Sequence, residues 1–262
     1  MMSALSRYIL PLMAVLSAMP SFVVAGASAQ ERECPVPEYF YAHEPLLKKT
    51  AKALGGRREV VIAALGGAST MGGAAGGVEF AWPARLGSAL SEKLPAARVK
   101  VVNLAVARQT AKRAADRLDR DVLPLKPTLV IWETGTMEAV RGSEVDEFRL
   151  TVQTGIDKLR AAGIEVVLMN MQFSRASEAV IHFEPYLAAM QELADVNDVP
   201  LFRRHSIMRQ WAETGVLDFR TGEGEKGRHV AVKLYDCIAR GMAEFVIRGM
   251  PPAKRDNSGG DR

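Results

Sequence analysis

Short apolar runs recur along this chain, and each is followed by a stretch of helical period. Val60-Val61-Ile62-Ala63-Ala64 marks a strand over Arg58 to Leu65. The pattern predicts further strands over Val99 to Leu104, Thr128 to Glu133, Ile164 to Met169 and Val199 to Phe202. Runs this uniformly apolar suit strands buried on both faces. Between them the 3.6-residue period predicts helices over Ala81 to Leu94, Thr110 to Val122, Glu144 to Ala162, Glu178 to Val196 and Ile207 to Thr214. A last helix over Val230 to Arg248 carries Leu234, Ile238, Met242 and Phe245 on one stripe. Strands alternating with helices of these lengths predict an α/β fold with a five-stranded parallel sheet covered on both faces.

The ends of the chain read differently. Arg7 precedes an apolar stretch from Tyr8 to Gly26, interrupted by Pro11 and Pro20 and followed by Ala27-Ser28-Ala29. The small-x-small pattern reads as a signal peptide over residues 1–29. The prolines and that pattern weigh against the alternative, an uncleaved anchor. No later run is long enough to cross a bilayer, so the mature chain is expected to have no integral membrane segment and to be periplasmic or secreted. Residues 30–56 read as an N-terminal arm with a short helix near Glu44 to Leu54, residues 57–250 as the main domain, and residues 251–262 as a polar, frayed tail.

Composition adds limits. With 262 residues, 48% of them hydrophobic, the chain can bury one substantial core. Its formal net charge of +4 is spread along the helices. That is the pattern of solvated faces, and no nucleic-acid partner is expected. Export gives meaning to the two cysteines, Cys34 and Cys237. In an oxidising compartment such a pair can form a disulfide that pins the N-terminal segment to the last helix; the alternative is two unrelated thiols. Neither has a histidine close by in sequence, which weighs against a metal site.

The candidate chemistry begins at Leu65-Gly66-Gly67-Ala68-Ser69-Thr70-Met71, where the first strand ends. The glycines permit a sharp turn, and a hydroxyl there projects at the carboxyl edge of the sheet, where open α/β folds bind ligands. Ser69 is the candidate nucleophile, although the segment taken alone reads better as a helix N-cap in a Gly-rich loop. A serine nucleophile needs a base and donors for the oxyanion. Of the four histidines, His229 follows a polar, glycine-rich loop from Thr221 to Arg228 and opens the terminal helix, so it can face Ser69. His43 and His205 sit among polar residues and read as surface groups, and His182 reads as a structural residue of a helix. The glycines of 66–77 fit neither G-x-G-x-x-G nor G-x-x-x-x-G-K-[ST], which weighs against nucleotide binding. Met71 replaces the last glycine of G-x-S-x-G, which weighs against an α/β-hydrolase elbow.

Gly67-Ala68-Ser69-Thr70, Trp82-Pro83-Ala84-Arg85-Leu86, and His229 with the helix through Tyr235-Asp236-Cys237-Ile238-Ala239 together resemble the SGNH (GDSL-like) hydrolases over roughly Arg57 to Gly249. The opening Cys34-Pro35-Val36-Pro37 is similar to a secreted bacterial subgroup. The resemblance implies a flavodoxin-like, three-layer α/β/α fold. It also implies ester hydrolysis by Ser69 and His229, an oxyanion held by the amides of Ser69 and Arg108, and no metal or organic cofactor.

Three supporting positions depart from the family pattern. Arg108 stands where a glycine is expected, which keeps the amide but adds a side chain. Met137 replaces an oxyanion-binding asparagine, and a thioether cannot donate. Lys226 replaces the aspartate that orients the histidine. Glu223 or Glu225 could supply that acid, and Glu138 lies beside the lost asparagine; each also reads as a solvated loop charge. Two functions follow. One is an exported serine esterase or deacylase acting on a small ester, an acylated glycan or a lipid. The alternative is a catalytically impaired relative that binds acylated glycans or lipids.

Overall fold

A computed structural model describes residues 34–41, 46–56, 59–218 and 224–251. The expected signal segment, His43, Glu223 and the tail after Pro251 lie outside the described residues.

Five strands, β1 (Glu59–Leu65), β2 (Arg98–Asn103), β3 (Leu129–Glu133), β4 (Glu165–Met169) and β5 (Leu201–Phe202), form one sheet in the order β2-β1-β3-β4-β5. Every pairing is parallel. Side chains alternate between two cores, as the two-residue period of a strand requires. Ile62, Ala64, Leu129, Ile131, Val167 and Met169 face one, while Ala63, Leu65, Val130, Trp132, Val166 and Leu168 face the other.

The helices are α1 (Lys48–Leu54), α2 (Ala68–Met71), α3 (Trp82–Lys93), α4 (Ala111–Ala115), α5 (Thr136–Arg141), α6 (Val145–Ala161), α7 (Arg175–Glu178), α8 (Glu184–Val196), α9 (Arg204–Glu213) and α10 (Glu225–Arg248). α1, α3, α9 and α10 cover the first face, and α4, α6 and α8 the second. The result is the three-layer α/β/α, flavodoxin-like arrangement of SGNH hydrolases. Gly155 of α6 lets that helix close onto the sheet, because a Cβ there would overlap the Trp132 ring.

The arm is built into the first layer. Phe40, Leu47 and Leu54 join its core, and the Glu165 carboxylate accepts the amides of Lys49 and Thr50 at 2.7 and 2.8 Å. Cys34 and Cys237 form a disulfide with their Cα atoms 5.7 Å apart. Close by, Trp211 Nε1 donates to the Pro35 carbonyl at 2.8 Å.

Several expected helix limits are corrected. The single helix expected over 110–122 ends at Ala115 and gives way to a π-turn over Leu118–Val122. The break falls where Arg117 reaches back to the Leu104 carbonyl and to Gln109. The helix expected from Glu178 begins only at Glu184, with Pro185, which lacks an N–H, in its first turn. His182 therefore lies between helices and is exposed, paired with Glu184 at 3.5 Å. α9 begins at Arg204, three residues early, and carries His205 inside. His205 is not a surface group: it is 2% exposed, between the Phe173 and Phe183 rings. α10 begins at Glu225, so His229 lies within the helix and not in a loop before it.

Candidate active site

In a sheet of order 2-1-3-4-5 the connections leave β1 and β3 toward opposite faces, opening a crevice at their carboxyl ends. Ser69 follows β1 and Glu133 ends β3, so both stand at that crevice. The chain turns from Leu65 through Gly66 and Gly67 into the short α2. A Cβ on Gly66 would lie 2.6 Å from Glu133 Oε2 and would also overlap the Thr70 hydroxyl. Glycine is what allows the carboxylate under the turn.

Ser69 is 9% exposed. Its hydroxyl donates to Glu133 Oε2 at 3.0 Å and accepts from Arg204 Nη1 at 3.1 Å. Arg204 Nη2 donates to Glu133 Oε1 at 3.0 Å, closing a three-membered network. Arg204 is 2% exposed and Glu133 6%. The Thr70 hydroxyl also donates to Glu133 Oε2, and Trp82 Nε1 donates to Thr70 Oγ1 at 3.1 Å. Asn103 Nδ2 holds the Thr70 carbonyl at 2.8 Å. Residues from β2, β3, α3 and α9 thus grip one turn. Burial pushes the Glu133 carboxyl up, but the Arg204 charge and the bonds from Thr70, Ser69 and Arg204 outweigh it and hold the group below its ordinary value.

The loop after β2 is tied to the same turn, since Val106 N donates to the Gly66 carbonyl at 3.0 Å. Arg108 in that loop has φ +54°, the left-handed conformation that favours glycine. The backbone that a glycine would have adopted is retained under an arginine. A cleft of about 320 Å³ on this loop is lined by Val106, Gln109 and Arg113 among others, and Ser69 is not one of the lining residues.

The remaining expected residues are dispersed. Among the described residues, Ser69 makes no hydrogen bond to His229. His229 is exposed, and its Nδ1 lies 3.0 Å from the Glu225 carbonyl, one helical turn back. A carbonyl can only accept, so that contact requires the proton on Nδ1 and leaves Nε2 as the basic nitrogen. It is the backbone of Glu225 that meets the ring, not its carboxylate. Lys226 is exposed and Met137 half-buried. Glu138 is not a solvated charge. It is 5% exposed and accepts the Ala111 amide at 2.6 Å, while its second oxygen is buried without a partner. Burial, partly offset by backbone bonds led by that of Ala111, raises its pKa.

Glu133 and Arg204 were not singled out in the sequence. Glu133 left one signal, a charge closing the apolar run Leu129-Val130-Ile131-Trp132. Arg204 left none, because its role depends on where β5 ends.

The fold is that of the SGNH hydrolases. The sequence profile of the non-GDSL lipase-like family matches residues 33–252, and the chain belongs to that family. No curated protein matches it in sequence. Among solved structures, a putative lipolytic protein of the G-D-S-L family from Desulfitobacterium hafniense is 20% identical, with a TM-score of 0.51 over 69% of this chain and 99% of that one. An acetylxylan esterase from Geobacillus stearothermophilus is 15% identical, with a TM-score of 0.57 over 73% and 96%. A two-domain esterase active on acetylated mannans is 16% identical, with a TM-score of 0.62 over 80% of this chain and 56% of that one. At these identities the likeness is one of fold.

Proposed function

We propose that this chain is an exported ester hydrolase in which Ser69 is the nucleophile. The observation that carries the reading is the position of Ser69: at the β1–β3 crevice, on a turn fixed from four directions, with its oxygen held in one place. Ser69 Oγ attacks the acyl carbon, and its proton passes to His229 Nε2. The amides of Ser69 and Arg108 hold the oxyanion. His229 then protonates the departing alcohol, and water releases the acid by the same route in reverse. The disulfide and the signal-like N-terminus support export. Esterases acting on acetylated xylan and mannan share the fold, which supports an acylated glycan as substrate, with a small or lipid ester as the other class.

A second reading has its own observation. The Ser69 hydroxyl is committed to Glu133 and Arg204, and His229 makes no bond to it. That arrangement suits a relative that binds acylated glycans or lipids without cleaving them. Hydrolysis of p-nitrophenyl esters of several acyl lengths by the mature protein separates the two. Turnover lost in both Ser69→Ala and His229→Ala, by at least about 10²-fold, supports the esterase. Equal background rates in all three proteins reject it and favour the binding reading.

A further inference from the structure

The site contains a buried cation that the Ser–His scheme does not use. Arg204 enters from the start of α9, and its guanidinium forks between the Ser69 oxygen and Glu133, at 3.1 and 3.0 Å. A guanidinium suits two-point contacts of this kind because its donors are coplanar and fixed. The pair is nearly sealed from solvent, where a charge acts at short range with little screening.

We propose that Arg204 is a catalytic residue that stabilises negative charge on Ser69 Oγ as its proton leaves, and that Glu133 positions it. The inference rests on the reading of Ser69 as a nucleophile. In the resting state Arg204 donates to a neutral hydroxyl. When the hydroxyl loses its proton, the same bond joins two opposite charges and strengthens. An interaction that grows along the reaction coordinate raises rate and not merely affinity. Glu133 would repel the developing alkoxide if it stood alone. Its charge is already met by Arg204 and by the Thr70 hydroxyl, and those bonds persist after the Ser69 proton has gone. Glu133 thus fixes the guanidinium and keeps Arg204 aimed at Oγ.

This arrangement addresses the departures noted in the sequence. The thioether of Met137 cannot donate to an oxyanion, and Lys226 cannot accept from His229. A cation placed on the nucleophile itself lowers the demand on the base.

The test is the labelling rate of Ser69 by an alkyl fluorophosphonate, read by intact mass. Oγ attacks phosphorus, the P–F bond breaks, fluoride departs and the hydroxyl proton goes to a base, so the reaction reports nucleophile activation without an ester substrate. Removal of one partner from a buried pair risks the fold, so the main variant is the doubly neutral Glu133→Gln/Arg204→Met, checked by circular dichroism. Labelling of that folded variant slower than wild type by about 10²–10³-fold is expected, the range seen when one preorganised donor is removed. Arg204→Lys, which keeps the charge and loses the fork, should fall between. Wild-type labelling with an unchanged rate in the folded double variant overturns the role of Arg204 and leaves the esterase reading intact. Absence of wild-type labelling at Ser69 overturns that reading and the role of Arg204 with it.

Discussion

The two ends of the expected Ser–His pair differ in how they are held. Ser69 sits over a buried carboxylate and guanidinium, and four elements converge on its turn. His229 stands exposed near the start of α10, and its Nδ1 meets a carbonyl of its own helix. Ser69 is therefore fixed by tertiary structure, while His229 is fixed by local backbone geometry. Two consequences follow. The Ser69 end is costly to disturb and tolerates few changes. The His229 end accepts change, which fits Lys226 at the position where the resemblance expects an aspartate.

The largest effect expected from this contrast is on stability. Arg204→Ala leaves the Glu133 carboxylate buried without its charge partner, and breaking such a pair costs about 3–5 kcal/mol. Lys226→Ala removes a solvated ammonium and should stay within about 0.5 kcal/mol of wild type. Urea denaturation of the two variants beside the wild-type protein measures both. Equal losses would mean that the ends do not differ in the way their burial indicates.

A smaller effect tests how His229 is oriented. The contact between Nδ1 and the Glu225 carbonyl orients the ring from the backbone, and we propose that it does what the resemblance assigns to an aspartate. Lys226→Asp adds a carboxylate on the preceding turn and should raise ester turnover only about tenfold, far below the roughly 10⁴-fold lost when a serine-protease histidine takes the wrong tautomer. Steady-state kinetics on a short-chain ester gives the answer. A gain near 10⁴-fold would show that the carbonyl does not orient the ring.

The same contrast explains what was legible in the chain. The strands were, because each is an apolar run and a parallel sheet buries both faces. Ser69 was legible because glycines before a hydroxyl at a strand end are a local pattern. The glycine-like backbone at Arg108 could be anticipated only from the resemblance. The Glu133–Arg204 pair was not legible: its partners are 71 residues apart, and no local period links a strand end to a helix start. His205 read as exposed because its neighbours Arg203 and Arg204 are charged, yet Arg204 is itself buried by its ion pair. The start of α10 was missed because Gly224 and Gly227 resemble a loop, although Glu225 in the first turn complements the helix dipole.

Two buried carboxylates should respond to pH with opposite signs, and Glu138 gives the smallest and most specific test. Glu133 has a lowered pKa in the folded chain. Its contribution to stability is present above the ordinary glutamate value and is lost as pH falls from there through the folded value. Glu138 has a raised pKa, so the folded state holds its proton more tightly than the unfolded state does. Its contribution is greatest in acid and is lost as pH rises through the folded value. Glu138→Gln keeps an oxygen for the Ala111 amide and removes the charge. At pH 4 the variant should match wild type. At pH 8 it should be more stable by about 1 kcal/mol, because wild type then carries an ionised carboxylate with one buried oxygen unpaired. Thermal midpoints at the two pH values measure the difference. Parallel curves for the two proteins would mean that Glu138 is neutralised by a partner and that its burial carries no electrostatic penalty.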